Sequence, residues 1–146
     1  MVQIIIINGP NLNLLGVRQP EVYGTRSFED YFIELESGFP EYNLHYYQSN
    51  HEGDLIDKIH GVGYRYHGII LNAGGFTHSS IALADALRAI TTPVIEVHLT
   101  NIYEREHYRH TNYIRESAMH SIVGKGLVGY REAIEYLRDQ VIDKKR

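Results

Sequence analysis

Cysteine is absent, which rules out a disulfide framework and thiolate chemistry and suits a reducing compartment, here expected to be cytoplasmic. Tryptophan is absent too, while tyrosine occurs 12 times and histidine 9 times. Most of those tyrosines are expected to sit half-buried with their hydroxyls paired. Lysine is scarce: Lys58 falls on a helix surface, Lys125 lies between glycines, and Lys144 and Lys145 are in the tail. None is placed like a buried catalytic amine. No apolar run is long enough to span a membrane, and no basic segment precedes the run after Met1, so the amino terminus reads as a strand rather than a signal peptide. A net charge of −4 gives no reason to expect nucleic acid or an anionic membrane as partner. Internal repeats, linkers and low-complexity segments are missing as well. The 146 residues, 43% hydrophobic and 22% charged, suit one domain, 1–146, with one sizeable core.

What is present centres on Gly68-Ile69-Ile70-Leu71-Asn72-Ala73-Gly74-Gly75-Phe76-Thr77-His78-Ser79-Ser80. Its apolar half is the kind of run that fills a strand buried on both faces. Gly74-Gly75 permits a tight turn or close approach to a ligand. Thr77, Ser79 and Ser80 are candidate caps for a helix over Ile81–Ile90. Such a strand–turn–helix unit delivers its polar residues to the carboxyl edge of a sheet, where open α/β folds hold their ligands.

The remaining chain supplies four more strands: Val2–Ile7, Leu44–Gln48, Val94–His98 and Ser121–Gly124. Between them run helices that start at Ser27, cover Glu52–Val62 with Asn50 as cap, and pass through Ala133, Ile134, Leu137 and Val141. Asn8 to Thr25 has neither helical nor strand period and reads as a long functional loop, a lid hinged at Gly16 and Gly24. Tyr103–Arg115 reads as a loop with short helical turns, and Asp143-Lys144-Lys145-Arg146 as a solvated, frayed tail. Five strands alternating with helices, joined by right-handed crossovers, predict a flavodoxin-like doubly wound parallel sheet in a three-layer α/β sandwich.

Three strands end in Asn or His at one edge: Asn8 with Asn11, Asn72 with His78, and His98 with Thr100. Arg18 and Tyr23 lie on the long loop, and Arg105 and Arg109 follow the fourth strand. Singly, each of these is more often structural; their convergence on the usual ligand crevice is what points to a site. His107 and His110 have a metal-compatible spacing but no accompanying third ligand, so no metal is expected. Gly9-Pro10-Asn11 lacks the glycine spacing of a nucleotide cradle, and Pro10 removes a backbone donor. Ser79 and Ser80 have no nucleophile elbow around them, and capping explains them better.

Over nearly its whole length the chain resembles the type II 3-dehydroquinate dehydratases. The resemblance rests on Gly9-Pro10-Asn11-Leu12-Asn13-Leu14-Leu15-Gly16 with Arg18, Pro20, Tyr23 and Gly24, and on Gln48-Ser49-Asn50-His51-Glu52-Gly53. It continues through Asn72 to His78, Ala82-Leu83-Ala84-Asp85-Ala86-Leu87, and Glu96-Val97-His98-Leu99-Thr100-Asn101 with Arg105 and Arg109. Several motifs in one order are far more specific than any of them alone.

The resemblance implies a cofactor-free hydro-lyase of the shikimate pathway of aromatic amino acid biosynthesis, converting 3-dehydroquinate to 3-dehydroshikimate and water through an enolate. Removing a proton α to a ketone and expelling a β-hydroxyl requires a base, enolate stabilisation and an acid. By resemblance Tyr23 is the base; because a phenol has an ordinary pKa of about 10, it needs nearby positive charge, assigned to Arg18 with help from Arg105. His98 is the acid, with Glu96 two residues back on the same strand face to orient it. Asn11 holds a water against the enolate oxygen. Asn72 and the backbone N–H groups of Leu99 and Thr100 hold the substrate carboxylate. His78 and Arg109 hold ring hydroxyls, with Asp85 assisting from a neighbouring subunit of a homododecamer of four trimers.

Departures from the family pattern are Gln19 where Glu is usual, His110-Thr111-Asn112 in place of a stretch that more often ends in Ser, and His120 where Gly is common. None removes a proposed catalytic group. Two other function classes compete: a catalytically silent flavodoxin-like binding protein, expected to lack at least one of Tyr23, Arg18, His98 and Asn11, and a flavin-dependent reductase, which would be coloured when purified.

Overall fold

Four consecutive isoleucines, Ile4 to Ile7, occupy the centre of β1 (Val2–Asn8) and are at most 1% exposed. The two-residue period of a strand sends Ile4 and Ile6 to one face and Ile5 and Ile7 to the other. Both pairs are buried, which requires helices on both sides of the sheet. The computed structural model, which describes residues 1–145, has that arrangement. β2 (Tyr42–Gln48), β3 (Gly68–Asn72), β4 (Val94–His98) and β5 (His120–Val123) complete an all-parallel sheet in the order β2-β1-β3-β4-β5.

α1 (Pro20–Tyr23) is a single turn, followed by α2 (Phe28–Gly38), α3 (Glu52–Val62), α4 (Ile81–Arg88) and α5 (Val128–Leu137). One face of the sheet packs Ile4, Ile6, Ile70, Ile95 and Val97 against Phe28 and Leu35 of α2 and Tyr130, Ile134 and Leu137 of α5. The other packs Ile5, Ile7, Ile69, Leu71 and Val94 against Leu55 and Ile59 of α3 and Leu83 and Leu87 of α4. The result is the three-layer flavodoxin-like sandwich. Among the described residues no helix is long and apolar enough to cross a membrane.

Caps set the helix starts. Ser27 Oγ accepts from the Asp30 N–H at 3.2 Å and Ser80 Oγ from the Leu83 N–H at 2.9 Å, each such cap stabilising a helix by about 1 kcal/mol. Ser80, rather than Thr77 or Ser79, is therefore the cap of α4, which ends at Arg88, two residues earlier than expected. Asn50 does not cap α3: the N-cap position is His51, and Asn50 Oδ1 instead accepts from the Asn11 N–H at 3.0 Å and Gln48 Nε2 at 3.1 Å. That side chain is spent on holding the loop after β1.

The stretch expected to be irregular from Asn8 to Thr25 contains a 3-10 turn, Leu12–Leu14, and the one-turn α1. Gln19, at φ 41°, occupies the left-handed region immediately before Pro20, where side chains are disfavoured. Gly16 and Gly24 both have positive φ, at 94° and 87°, conformations a glycine adopts without the clash a Cβ brings. Gly9 is needed for a different reason: a Cβ there would lie 2.5 Å from the Ala73 carbonyl oxygen, so the chain leaving β1 can pass this close to the chain leaving β3 only at a glycine.

β2 begins at Tyr42, two residues before the expected start, and β5 runs from His120 rather than Ser121. His120 stacks on Tyr136, with ring centroids 4.2 Å apart. Short 3-10 turns at Ile102–Glu104, His107–His110 and Arg115–Ser117 punctuate the segment after β4. α5 runs on through a π-turn, Arg138–Ile142, which buries Ile142. Asp143–Lys145 forms a 3-10 turn and is exposed, while Arg146, part of the expected solvated tail, lies outside the described residues.

Candidate active site

The strand order reverses direction between β1 and β3, the position at which open α/β sheets hold their ligands. A cavity of about 360 Å³ opens at this point. It is lined by Asn11, Arg18, Tyr23, Asn72, His78, His98, Leu99, Thr100, Arg105 and Arg109, all singled out in the sequence. Tyr108, Ile102, Ser79 and Pro10 also line it and were not anticipated as site residues. Glu96 and Asp85 do not line it. Glu96 lies buried behind His98, and the Asp85 side chain is exposed on α4, 3.2 Å from Arg88.

α1 presents Tyr23, half-buried, to the cavity. Arg105 Nη1 donates to its phenol oxygen at 2.7 Å and lies 3.4 Å from Thr100 Oγ1. Arg18 approaches the same ring from its face, with Cζ 5.1 Å from the centroid. The guanidinium in hydrogen-bonding contact with the phenol is thus that of Arg105, while Arg18 stacks. Two guanidinium groups thus converge on one phenol, one at its oxygen and one at its ring face.

Glu96 and His98 share one face of β4 by the strand period, and Glu96 is 1% exposed. Oε2 accepts from His98 Nε2 at 2.7 Å and from Asn112 Nδ2 at 2.8 Å, and Oε1 accepts from Ser121 Oγ at 2.7 Å. Burial alone would raise the Glu96 carboxyl, but the hydrogen bonds from His98, Ser121 and Asn112 hold it below its ordinary value. A carboxylate at Nε2 means that this nitrogen carries a proton, leaving Nδ1 as the remaining nitrogen of a neutral ring. Asn112 Oδ1 meanwhile accepts from the N–H groups of Ile114 and Arg115, so the same side chain anchors the following turn.

His78 Nδ1 lies 2.7 Å from the Thr111 carbonyl oxygen, which can only accept, so Nδ1 carries the hydrogen and Nε2 is an acceptor. Burial lowers the His78 pKa, against the opposing pull of that hydrogen bond. Arg109 Nε donates to Glu106 Oε2 at 2.5 Å. Hydrogen bonds from Tyr108 and Arg109 bring the Glu106 carboxyl down to about 2. Asn11 stands at φ 69°, a left-handed conformation that asparagine tolerates, and is exposed toward the cavity.

Asn8 and Asn72 are register partners at the ends of β1 and β3. By the strand period both face the α2/α5 side, where the Tyr130 hydroxyl reaches them: it donates to Asn8 Oδ1 at 2.8 Å and accepts from Asn72 Nδ2 at 3.0 Å. Tyr130, Asn112 and Ser121 were given no role in the site from the sequence, although Asn112 was marked as a departure in the loop and Ser121 as the start of a strand. Only the fold brings them beneath the site. Among the described residues no lysine lines the cavity, and no group of three His, Asp or Glu is placed to hold a metal.

A flavodoxin-like sheet with ionisable groups converging on a small polar cavity at its switch point defines an enzyme for a small, hydrogen-bonding substrate. Comparison with known proteins narrows this. The family model described as "Dehydroquinase class II" matches residues 2–138. The chain is 49% identical over 139 residues to "3-dehydroquinate dehydratase" of Bacillus licheniformis, spanning 93% of this chain and 95% of that protein. The crystal structure of the type II dehydroquinase from Butyrivibrio crossotus superimposes with a TM-score of 0.90 at 40% identity, over 94% of this chain and 97% of that one. That from Propionibacterium acnes gives 0.91 at 34% identity, over 96% and 98%. The chain belongs to the class II dehydroquinase family and is an enzyme of the 3-dehydroquinate dehydratase type.

Proposed function

We propose that the chain dehydrates 3-dehydroquinate to 3-dehydroshikimate by anti elimination through an enolate, in the shikimate route to aromatic amino acids. Tyr23, as phenolate, removes the proton α to the ketone. Arg105 at 2.7 Å and Arg18 over the ring supply the positive charge that this form requires. The electron pair moves onto the ketone oxygen, where a water held by Asn11 stabilises the enolate. Its return expels the β-hydroxyl, which takes a proton from the His98 imidazolium and leaves as water. Tyr23 then returns its proton and His98 regains one, so no net proton is consumed.

Glu96 acts on the acid: its buried carboxylate accepts from Nε2 at 2.7 Å and fixes the ring. One N–H of Asn72 and the backbone N–H groups of Leu99 and Thr100 receive the substrate carboxylate, and His78 and Arg109 receive ring hydroxyls. The observation that carries this reading is the placement of an arginine-bonded phenol and a carboxylate-bonded imidazole on one cavity. Asp85, outside its own cavity and exposed on α4 beside exposed Ile81, fits a role in a neighbouring copy's site within a dodecamer of four trimers in the cytoplasm. Light scattering at the mass of twelve chains would support that assembly, and a monomer would count against it.

The decisive experiment is ultraviolet absorbance after adding 3-dehydroquinate to metal-free protein, because only the product is a conjugated enone. A steady rise that is lost in Tyr23→Phe and unaffected by borohydride is expected. Absence of a rise from well-folded protein would move the reading to a silent binding protein.

A further inference from the structure

We infer that Tyr130 is a positioning residue of the active site: its buried hydroxyl holds the Asn72 amide in the orientation that the Gly74 N–H selects, so that one N–H remains for an anionic oxygen in the cavity. The inference rests on the proposed role of Asn72 in holding the substrate carboxylate.

An asparagine amide is nearly symmetric in shape, so a site that needs a donor must fix which end faces the ligand. Around Asn72 three groups do so. The Gly74 N–H lies 3.2 Å from Oδ1 and can only donate, so this end must be the oxygen. Nδ2 is then directed to the Tyr130 oxygen at 3.0 Å. Tyr130 can accept there because its own proton goes to Asn8 Oδ1 at 2.8 Å. Were the chain of bonds reversed, Asn72 would turn Nδ2 toward the Gly74 N–H, donor against donor. With Oδ1 occupied and one N–H taken by Tyr130, the amide has one N–H left for the cavity that it lines.

The surroundings make the device rigid. Tyr130 and Asn8 have no solvent exposure and Asn72 has 3%. The Tyr130 ring packs edge-on against Phe28, with centroids 4.9 Å apart. Burial raises the Tyr130 pKa, which keeps the hydroxyl protonated and so able to donate to Asn8. Tyr130 itself does not line the cavity, so any influence on substrate passes through its partners.

The test is a double-mutant cycle on steady-state kinetics, with folding checked by melting temperature. Tyr130→Phe keeps the ring and removes the hydroxyl. It should raise KM by about 10-fold, the order expected for losing a preset hydrogen bond to a charged group, with kcat changed less than about threefold. Asn72→Ala should raise KM at least as much, and the double variant should be no worse than Asn72→Ala alone. An unchanged KM in folded Tyr130→Phe, or strictly additive effects, would overturn the inference while leaving the carboxylate role of Asn72 intact. An unchanged KM in Asn72→Ala would overturn that role and the inference with it. If Tyr130→Phe does not fold, Asn8→Ala serves instead. Asn8 does not line the cavity, and its removal frees the Tyr130 proton, so a raised KM supports the relay and an unchanged KM overturns it.

Discussion

Arg105 Nη1 lies 2.7 Å from the phenol oxygen of Tyr23, although 82 residues separate them in the chain. One comes from the loop after β1 and the other from the segment after β4, so the contact exists only when α1 is seated over the cavity. Arg18, five residues from Tyr23, meets the ring face instead. The two arginines should therefore differ in what they contribute. Tyr23→Phe is expected to lower kcat by about 10³-fold, the scale of losing a general base. Arg105→Ala should lower kcat strongly, because it removes the donor to the phenol oxygen. Arg18→Ala should also lower kcat, by less, because only the ring-face contact is lost. An unchanged kcat in both arginine variants would sink the assignment of Tyr23 as a charge-supported base.

Asn112 joins the loop after Arg109 to the buried Glu96. Its two amide ends do different work: Nδ2 binds Glu96, and Oδ1 caps the backbone at Ile114 and Arg115. Asn112→Ala should lower kcat about 10-fold through His98 while KM stays within about twofold. Asn112→Ser, whose hydroxyl can still donate, should recover most of the loss. A change confined to KM, or no rescue by serine, would mean that Asn112 acts on loop shape alone.

His78 offers a pH test. Burial holds its pKa below the ordinary 6.5, and the groups around it are His98, Arg109 and Glu96 with the Thr111 carbonyl. The neutral ring accepts at Nε2; protonation turns that acceptor into a donor beside Arg109. KM should therefore remain flat as pH falls through 6.5 and rise only under more acidic conditions. His78→Gln, with no titration at this position, should lose that acid rise. An identical KM profile in wild type and His78→Gln would rule out a substrate contact dependent on neutral His78.

Much of this was legible from local pattern. The isoleucines of β1, the apolar run of β3 and the Ser27 and Ser80 caps are signals carried within a few residues, and the expected strands are all present. The strand-end residues Asn72 and His98 were legible for the same reason, since the end of a buried parallel strand faces the ligand crevice. What could not be read depends on chain-distant geometry. Asn50 looks like a helix cap in sequence, but the Asn11 N–H and Gln48 compete for its oxygen and win. Tyr130 has the periodicity of an ordinary core aromatic on α5, and nothing nearby in sequence says that its hydroxyl ends beneath Asn8 and Asn72. Ser121 and Asn112 acquire meaning only because β4 places Glu96 between them.

Glu96 should leave a mark on acid stability. Its folded pKa lies below the ordinary 4.5, so the unfolded chain binds a proton more readily than the folded one. The stabilisation it contributes is then fully present above 4.5 and is lost as pH falls through the folded value. Glu96→Gln removes this titration. The glutamine oxygen can still accept from His98 and Asn112, and its amide nitrogen can donate to Ser121 Oγ, so the fold should survive with a loss of about 1–3 kcal/mol at neutral pH. The melting temperature of wild type should fall more steeply below pH 4.5 than that of Glu96→Gln, and the two curves should converge in acid. The other carboxylates titrate alike in both proteins, so the difference between the curves reports Glu96 together with its partner His98. Parallel curves from neutral pH down to the acid transition would show that Glu96 titrates normally, and that its three hydrogen bonds do not favour the carboxylate over the acid.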